Sequence, residues 1–469
     1  MRNIVSILLC LLLSSCSMLH KPQSIESPSD MPDMYQYSQK INADYLLDNW
    51  WENFNNPQLN QFMEETFAGN LDIKQLVAKL KQAQALYQQS RAGSLPWLNL
   101  EGSGGRSRQP GFSGSITDSV YQGNLVAGYE IDIWGKIKSR QEAAFLRSEA
   151  SEAAIRSMIL SLSAQVAETW FRLSELQEQL QLTDTIIASR ADNLDLVEMR
   201  YKAGLISSLD VYQARQSLSN ARTKRPQYVY DLKTSEHALT VLAGKWPGEH
   251  ISSSSWELPD IDSSFPVGLP SDILKNRPDV EAAYLELQAT DYDLAAAVAN
   301  RFPSFSLTGS YGGSSNELHN ILNNSNIIWN ALLSVSQSLF DAGNKKQETK
   351  RVQYVFEERL AAYHQAILVA FQDVTDALAA EEEAQNNLVL QNNFHDAASK
   401  TLKVSEDQYK EGLVDYLNVL AAQTSYNDSQ RNLVSARRKQ ISARISLARA
   451  LGGSWMDHEI KNYELRITD

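Results

Sequence analysis

The sequence predicts a mainly helical protein with a smaller β-sheet part, built as two tandem copies of one structural unit. The stretch "RYKAGLISSLDVYQA" at 200–214 returns in modified form as "QYKEGLVDYLNVLAA" at 408–422, about 208 positions later. Each copy also contains one very long run without glycine or proline, at 136–203 and 344–411. Because self-similarity at a fixed offset marks a repeat architecture, we divide the chain into repeat 1 and repeat 2.

Each repeat is predicted to hold, in order, a modest helix, two strands, a very long helix and a return helix. A helix over either glycine-free and proline-free run would reach on the order of 100 Å. Gly204 and Gly412 are predicted to end these helices, because glycine adopts the left-handed conformation of a helix C-terminus without strain. The predicted first helices are about 71–92 and 279–300, the return helices end near Ala243 and Leu451, and the strands are about 97–112, 119–134, 303–314 and 327–340.

Apolar and polar residues alternate along the predicted strands. In "YQGNLVAGYEIDIWG" at 121–135, Leu125 and Tyr129 lie on one face, whereas Asn124 and Glu130 lie on the other. This pattern is typical of a membrane strand with a wet interior, although a half-buried soluble sheet has the same alternation. Four strands cannot close a membrane barrel. Three copies would supply twelve, which predicts a trimeric twelve-stranded transmembrane β-barrel continued by a long α-helical barrel.

The N-terminus reads as an export signal. An apolar run too short to span a bilayer precedes "LSSC", and this quartet resembles the bacterial lipobox, in which the cysteine is acylated. We therefore predict a signal peptide at 1–15 and an N-acyl and S-diacylglycerol lipid on Cys16, with a polar tether at 16–43. An ordinary secretory peptide with a chance cysteine is the alternative. Repeat 1 is placed at 44–256, repeat 2 at 257–455 and a C-terminal tail at 456–469.

Composition argues against several classes of function. The net charge of −13 disfavours nucleic acid as a partner, because phosphate binding needs a basic face. Both cysteines, Cys10 and Cys16, lie at the extreme N-terminus, which leaves no thiol nucleophile or cysteine metal site in the body of the chain. The seven histidines lack H-x-x-x-H spacing, and no phosphate-binding or nucleophile motif occurs. The sequence therefore predicts no enzyme, no metal and no cofactor besides the lipid.

Several motifs together resemble the TolC-type outer-membrane efflux proteins, specifically the lipoprotein branch that serves resistance-nodulation-division pumps. The resemblance covers nearly the whole mature chain, and its motifs are "WWENFNNPQLN" at 50–60, "GYEIDIWGKIKSR" at 128–140, "GLPSDILKNRPDVEAA" at 268–283, "FPSFSLTGS" at 302–310 and "LARALGGSW" at 447–455, beside the repeated stretch above. It implies a homotrimer in the outer membrane of a Gram-negative bacterium. This trimer would be a passive duct for drugs or other small solutes, and its partners would be a periplasmic adaptor and an inner-membrane pump.

The resemblance also assigns roles to the two turns that open on Gly204 and Gly412. Such helix tips lie at the periplasmic end of the duct, where the adaptor docks and the helices close. The implied docking residues are Tyr201, Gly204, Leu205, Ser208 and Leu209 in repeat 1, and Tyr409, Gly412, Leu413, Val414 and Leu417 in repeat 2. The implied gate residues are Asp210, Asp415 and Tyr416. Asp415 is favoured over Asp210, although an aspartate after a turn often only stabilises the next helix.

Two alternatives stay open from the sequence. The same duct could serve protein secretion or metal export. The chain could instead be a lipid-anchored periplasmic coiled-coil scaffold whose sheet is buried against its own helices.

Overall fold

The computed structural model describes residues 20, 49–112, 114–249, 257–261 and 276–453. The predicted signal peptide, Cys16, the tether and the C-terminal tail lie outside these residues. The elements, in chain order, are a 3-10 turn at Trp50–Phe54, α1 (Pro57–Gly69), α2 (Leu71–Ala92), β1 (Trp97–Gly111), β2 (Gly114–Ile131), α3 (Lys136–Lys202), α4 (Ser208–Leu242), α5 (Pro278–Ala299), β3 (Ser304–Ser315), β4 (Ile327–Ser336), α6 (Asn344–Lys410) and α7 (Tyr416–Leu451), with short 3-10 turns at Leu318–Asn320 and Asn324–Asn326. Within the described part of the chain, no helix is both long and apolar enough to cross a membrane.

The two long helices, α3 and α6, each contain 67 residues and end where the glycines predict. Gly204 and Gly412 have φ of 73° and 75°, in the left-handed region. One residue further on, the amide of Leu205 donates to the carbonyl of Arg200 at 3.0 Å, and the amide of Leu413 donates to that of Gln408 at 2.9 Å. These bonds close the last helical turn in the manner of a glycine C-cap.

The sheet is antiparallel, with strand order β1-β2-β3-β4. The ladder of β1 and β2 continues to the pair Gly111 and Gly114, so β2 begins five residues earlier than the expected 119. Strand β4 ends at Ser336 rather than near 340, opposite Ser304 in β3. The residue before Ser304 is Pro303, which has no amide hydrogen and cannot extend the ladder.

The described residues form two compact units, and each unit draws on both repeats. The first contains His20 and the described residues of 77–153 and 281–366, including the whole sheet. The second contains the described residues of 49–76, 154–280 and 367–453, including both turns after the long helices. The repeats of the sequence are therefore not the compact units, because the long helices α3 and α6 run through both.

In the second unit, "WWENFNNPQLN" forms an aromatic core. The side chain of Trp50 is fully buried, and its Nε1 donates to Ser163 Oγ at 3.3 Å. The rings of Phe54 and Phe171 lie 4.8 Å apart, edge to face. Asn56 caps α1 by accepting from two backbone amides in the first turn. This motif therefore packs onto α3.

In the second unit, the C-terminal end of each return helix, α4 and α7, is held by a side chain that donates a hydrogen bond to one of its last carbonyls. Asn70 Nδ2 donates to the carbonyl of Leu242 at 2.8 Å, at the end of α4. Arg277 Nη1 donates to the carbonyl of Ala450 at 3.3 Å, at the end of α7. A Cβ atom on Gly244 would collide with the backbone of residue 69, which leaves glycine as the fitting residue there. Two different side chains thus perform one capping role in the two repeats.

Arg277 also forms ion pairs with two aspartates, one of which lies in the stretch "RPDVEAA" at 277–283. Its guanidinium lies 2.6 Å from an oxygen of Asp279 and 2.9 Å from one of Asp373. Burial alone would lower the pKa of Arg277, but the hydrogen bonds and charges of the two carboxylates outweigh burial and raise it. Burial likewise opposes ionisation of Asp279, yet the same pairing holds its pKa below the ordinary value.

Candidate functional site at the helix tips

The candidate site consists of the two turns that connect α3 to α4 and α6 to α7, both in the second unit. Its apolar centre contains Val197 from α3, Val211 and Ala214 from α4, and Tyr416 from α7, all of them buried. Tyr416 is only 3% exposed, and its ring lies 5.8 Å from that of Tyr409. The tips of the two repeats therefore share one small core within a single chain.

A polar network lies beside this core. Asn193 Nδ2 donates to the phenol oxygen of Tyr416 at 3.0 Å and to Gln423 Oε1 at 3.5 Å. Arg190 also donates to Gln423 Oε1. Burial lowers the pKa of Arg190 and raises the pKa of Tyr416. The network therefore joins α3 of repeat 1 to α7 of repeat 2.

The two aspartates predicted at the gate have different local roles. Asp210 completes a capping box: its Oδ2 accepts from the amide of Ser207 at 3.0 Å, while Ser207 Oγ accepts from the amide of Leu209 at 3.2 Å. Asp415 is the N-cap residue of α7, yet its side chain makes no capping hydrogen bond and is exposed. Asp210 thus stabilises its own helix, whereas the carboxylate of Asp415 is available to a group outside the chain.

Apolar side chains are concentrated at the surface of both tips. Leu205 is 71% exposed and Leu413, its counterpart in repeat 2, is 69% exposed. Tyr201, Leu209 and Leu417 are also exposed, as are Gly204, Ser208 and Gly412, while Val414 is half-buried. The predicted docking residues therefore lie mainly on the surface, in contrast to Tyr409 and Tyr416. Exposed apolar side chains that cluster in this way mark an interaction surface.

Sequence reasoning missed Arg190, Asn193 and Gln423. A usable signal was present: Thr183, Ile186, Arg190 and Val197 share the buried side of α3 at helical spacing, so Arg190 is a charged residue in a stripe that packs inward. Arg200 was missed as well, and its guanidinium lies 4.9 Å from the centre of the Tyr409 ring. Among the described residues, no group of three or more His, Cys, Asp or Glu side chains is placed to hold a metal ion.

The sheet and the long helices together define a class of protein. The sheet exposes an apolar face that includes Leu100 at 80% and Trp329 at 74% exposure, and each unit contains segments of helices too long for an ordinary globular core. These features indicate a channel-forming membrane protein that contains unusually long helices.

Comparison with known proteins identifies the family. The family model of outer membrane efflux proteins matches residues 63–245 and 269–453. The solvent efflux pump outer membrane protein SrpC of Pseudomonas putida is 32% identical over 409 residues, which cover 86% of this chain and 87% of that protein. The antibiotic efflux pump outer membrane protein ArpC of Pseudomonas putida is 30% identical over 457 residues, which cover 95% and 94% of the two chains. The protein belongs to the outer membrane efflux protein family.

Solved structures agree with this assignment. The outer-membrane channel OprN is 25% identical and superposes with a TM-score of 0.88, covering 93% of this chain and 100% of its own. The open state of the MtrE outer membrane channel of Neisseria gonorrhoeae is also 25% identical, with a TM-score of 0.82 and coverage of 93% and 98%. The predicted fold class and family are confirmed. The chain is the outer-membrane channel component of an efflux system and is located in the outer membrane.

Proposed function

We propose that three copies of the chain form one passive duct. The observation that carries this proposal is the sheet, in which β1 and β4 are the edge strands of a four-stranded order. Unpaired backbone groups on such edges are costly in lipid, and eight strands are the smallest number that closes a membrane barrel. If β4 of each copy pairs with β1 of the next, three copies close a barrel of twelve strands. The apolar face then meets lipid, and the polar face lines the lumen.

The tips give the duct its partners. Exposed leucines on both turns offer an apolar surface to a periplasmic adaptor, which connects the duct to an inner-membrane pump of the resistance-nodulation-division type. The pump supplies the energy, and the chain itself catalyses no reaction. The named relatives are pump components for solvents and antibiotics, which supports small organic solutes as the cargo. The same two relatives favour small-solute efflux over protein secretion or metal export as the function of the duct.

The resting duct is held closed at the tips. The core and polar network around Tyr416 fix α7 against α3, and threefold symmetry would arrange each Asp415 carboxylate in a ring that favours cations. The docked adaptor biases this packed element toward an open arrangement. Acylation of Cys16 with N-acyl and S-diacylglycerol chains would add an anchor in the inner leaflet of the outer membrane.

Native mass spectrometry of the protein extracted in mild detergent tests the assembly. A trimer of lipidated chains is expected, followed by single-channel conductance after reconstitution into a planar bilayer. A monomer that survives gentle extraction would leave four strands unable to close, and the lipid-anchored scaffold would then replace the duct.

A further inference from the structure

The first unit contains a cavity of about 340 Å³ that the efflux role does not explain. It lies where the strands meet the ends of the helices, and its lining includes Trp97, Gly128, Glu130, Trp134, Phe302 and Lys345. Aromatic, hydroxyl and charged groups line it together, which makes it more polar than the mostly apolar pockets that usually hold small molecules.

Strand register places this cavity on the polar face of the sheet. Trp97 pairs with Gly128, Gly128 with Thr308, and Thr308 with Leu332. Directly paired residues share a face, and this face also carries Asn99, Glu130 and Ser306 at alternate positions. Among the described strand residues on this face, Trp97 is the only aromatic one. The polar face of the sheet is the one that contacts water in the proposed duct, so an aromatic side chain such as Trp97 is unexpected there.

Gly128 makes room for the indole. A Cβ atom at this position would collide with Cζ2 of Trp97, so the absence of a side chain lets the ring lie across the strand. In the single chain Trp97 is 46% exposed, so part of the face of its ring is free for a second planar group. Offset or edge-to-face contact with such a group is the geometry that aromatic rings prefer.

The remaining walls are held in place. The ring of Trp134 stacks on Phe302 with centroids 5.0 Å apart, and Trp134 Nε1 donates to the carbonyl of Pro303 at 2.7 Å. Glu130 is paired with Lys136, which also lines the cavity together with Lys345. The site therefore offers an aromatic surface beside two carboxylates, Glu130 and Asp132, and two ammonium groups, Lys136 and Lys345.

We propose that this cavity is a weak binding site for planar aromatic solutes that carry both an acidic and a basic group. A carboxylate on the solute would meet the lysines, its ammonium would meet Glu130, and its ring would contact Trp97. The inference rests on the proposed duct, since only a closed barrel makes the polar face a lumen. A trimer would contain three such sites around the path of the exported solute.

Blocking of single channels tests the site, with the zwitterionic quinolone norfloxacin as the probe. The complete trimer is reconstituted in a planar bilayer, and the dwell time of current blockades is measured for wild type, Trp97→Ala and Trp97→Phe. Wild type is expected to show blockades that Trp97→Ala shortens about tenfold, in line with the loss of one stacking contact. Trp97→Phe is expected to retain most of the dwell time. Trp329→Ala is the matched control, because Trp329 lies in the same sheet on the opposite, apolar face.

The outcomes separate the two proposals. Normal conductance without blockades, or blockades that Trp97→Ala leaves unchanged, would overturn the site and leave the duct intact. Equal shortening by Trp97→Ala and Trp329→Ala would also overturn it, because the effect would then follow general damage to the sheet. A trimer without conductance would contradict the proposed duct itself, and with it any site in a lumen.

Discussion

Asn193 in the first long helix donates a hydrogen bond of 3.0 Å to the phenol oxygen of Tyr416, at the start of the last helix. The two residues are separated by 223 positions and belong to different repeats. Tyr416 is buried against Val197 and Val211, so the bond is made in an environment where an unpaired hydroxyl or amide is costly. The tip of repeat 2 is therefore held by a residue of repeat 1, which connects the two tips in one chain.

We predict that Tyr416→Phe raises the resting conductance of the reconstituted channel. Phenylalanine preserves the packing but removes one of the two acceptors of Asn193, at a cost of about 1 kcal/mol to the closed arrangement. This corresponds to roughly a fivefold shift in the ratio of open to closed channels. Tyr212→Phe is the control, because Tyr212 is 66% exposed on the neighbouring helix. Equal conductance of both variants and wild type would argue against the network as a closing contact.

Substitutions of Asp415 and Asp210 distinguish the effect of charge at the gate from the effect of losing a helix cap. Asp415→Ala is expected to raise resting conductance and the vancomycin sensitivity of cells, because its exposed carboxylate makes no cap bond that the change would break. Asp210→Ala is expected mainly to destabilise the start of α4, by about 1 kcal/mol, through loss of the capping box. Unchanged conductance and vancomycin sensitivity in Asp415→Ala would count against this aspartate as a gate residue.

Adaptor docking is expected to depend on the exposed leucines. Leu205→Asp and Leu413→Asp place a charge in a surface that would be desolvated by the adaptor, and either change is expected to weaken binding at least tenfold. Binding is measured by titrating the purified adaptor onto the trimer in nanodiscs. Leu95→Asp serves as the control, since Leu95 is 62% exposed but belongs to the other compact unit. Similar affinities for all three variants would place the docking surface elsewhere.

Stability is expected to fall in acid through the pair of Arg277 and Asp279. The pKa of Asp279 in the folded chain lies below its ordinary value of 3.8, so the unfolded chain takes up the proton first as the pH falls. The contribution of Asp279 is complete above about pH 4 and is lost below it, as the pH approaches the folded pKa. Asp279→Asn should therefore be less stable than wild type at pH 7 and lose less stability below pH 4.

Thermal unfolding at a series of pH values checks this prediction. Asp72→Asn is a matched control, since Asp72 occupies the corresponding place in the first turn of α2. If the unfolding temperatures of wild type and Asp279→Asn fell in parallel as the pH is lowered, the pair of Arg277 and Asp279 would not contribute to the loss of stability in acid.

The sequence predicted the elements that depend on local rules. Runs without glycine or proline gave both long helices, and Gly204 and Gly412 gave their ends, because these features are properties of the backbone. The strands were found from their alternation, whereas the start of β2 was missed because it depends on backbone pairing with β1 and not on side-chain pattern.

Features that depend on contacts between distant segments were not predictable in the same way. The capping role of Asp210 had a local signal, because Ser207 and Asp210 have the spacing of a capping box, whereas repeat 2 places Asp415 at the N-cap position and Asn418 three residues later. The burial of Tyr416 against α3 and the pairing of Asn193 with it join residues of different repeats. The position of Arg190 on the apolar side of α3 indicated that it is buried, but no sequence pattern indicated its partner Gln423.

The capped ends of the return helices determine how the tips can move. Helix α4 is fastened at Leu242 by Asn70, while the opposite end carries the tip, about 50 Å away for its 35 residues. A helix fixed at one end cannot slide along its axis, so its tip can be displaced only by flexing or twisting. Pro226 interrupts the backbone hydrogen bonds near the middle of α4, whereas repeat 2 has Val434 at the matching place in α7. Helix α4 of the first repeat therefore bends more easily than α7 of the second. A displacement imposed on both tips would be taken up mainly by bending of α4.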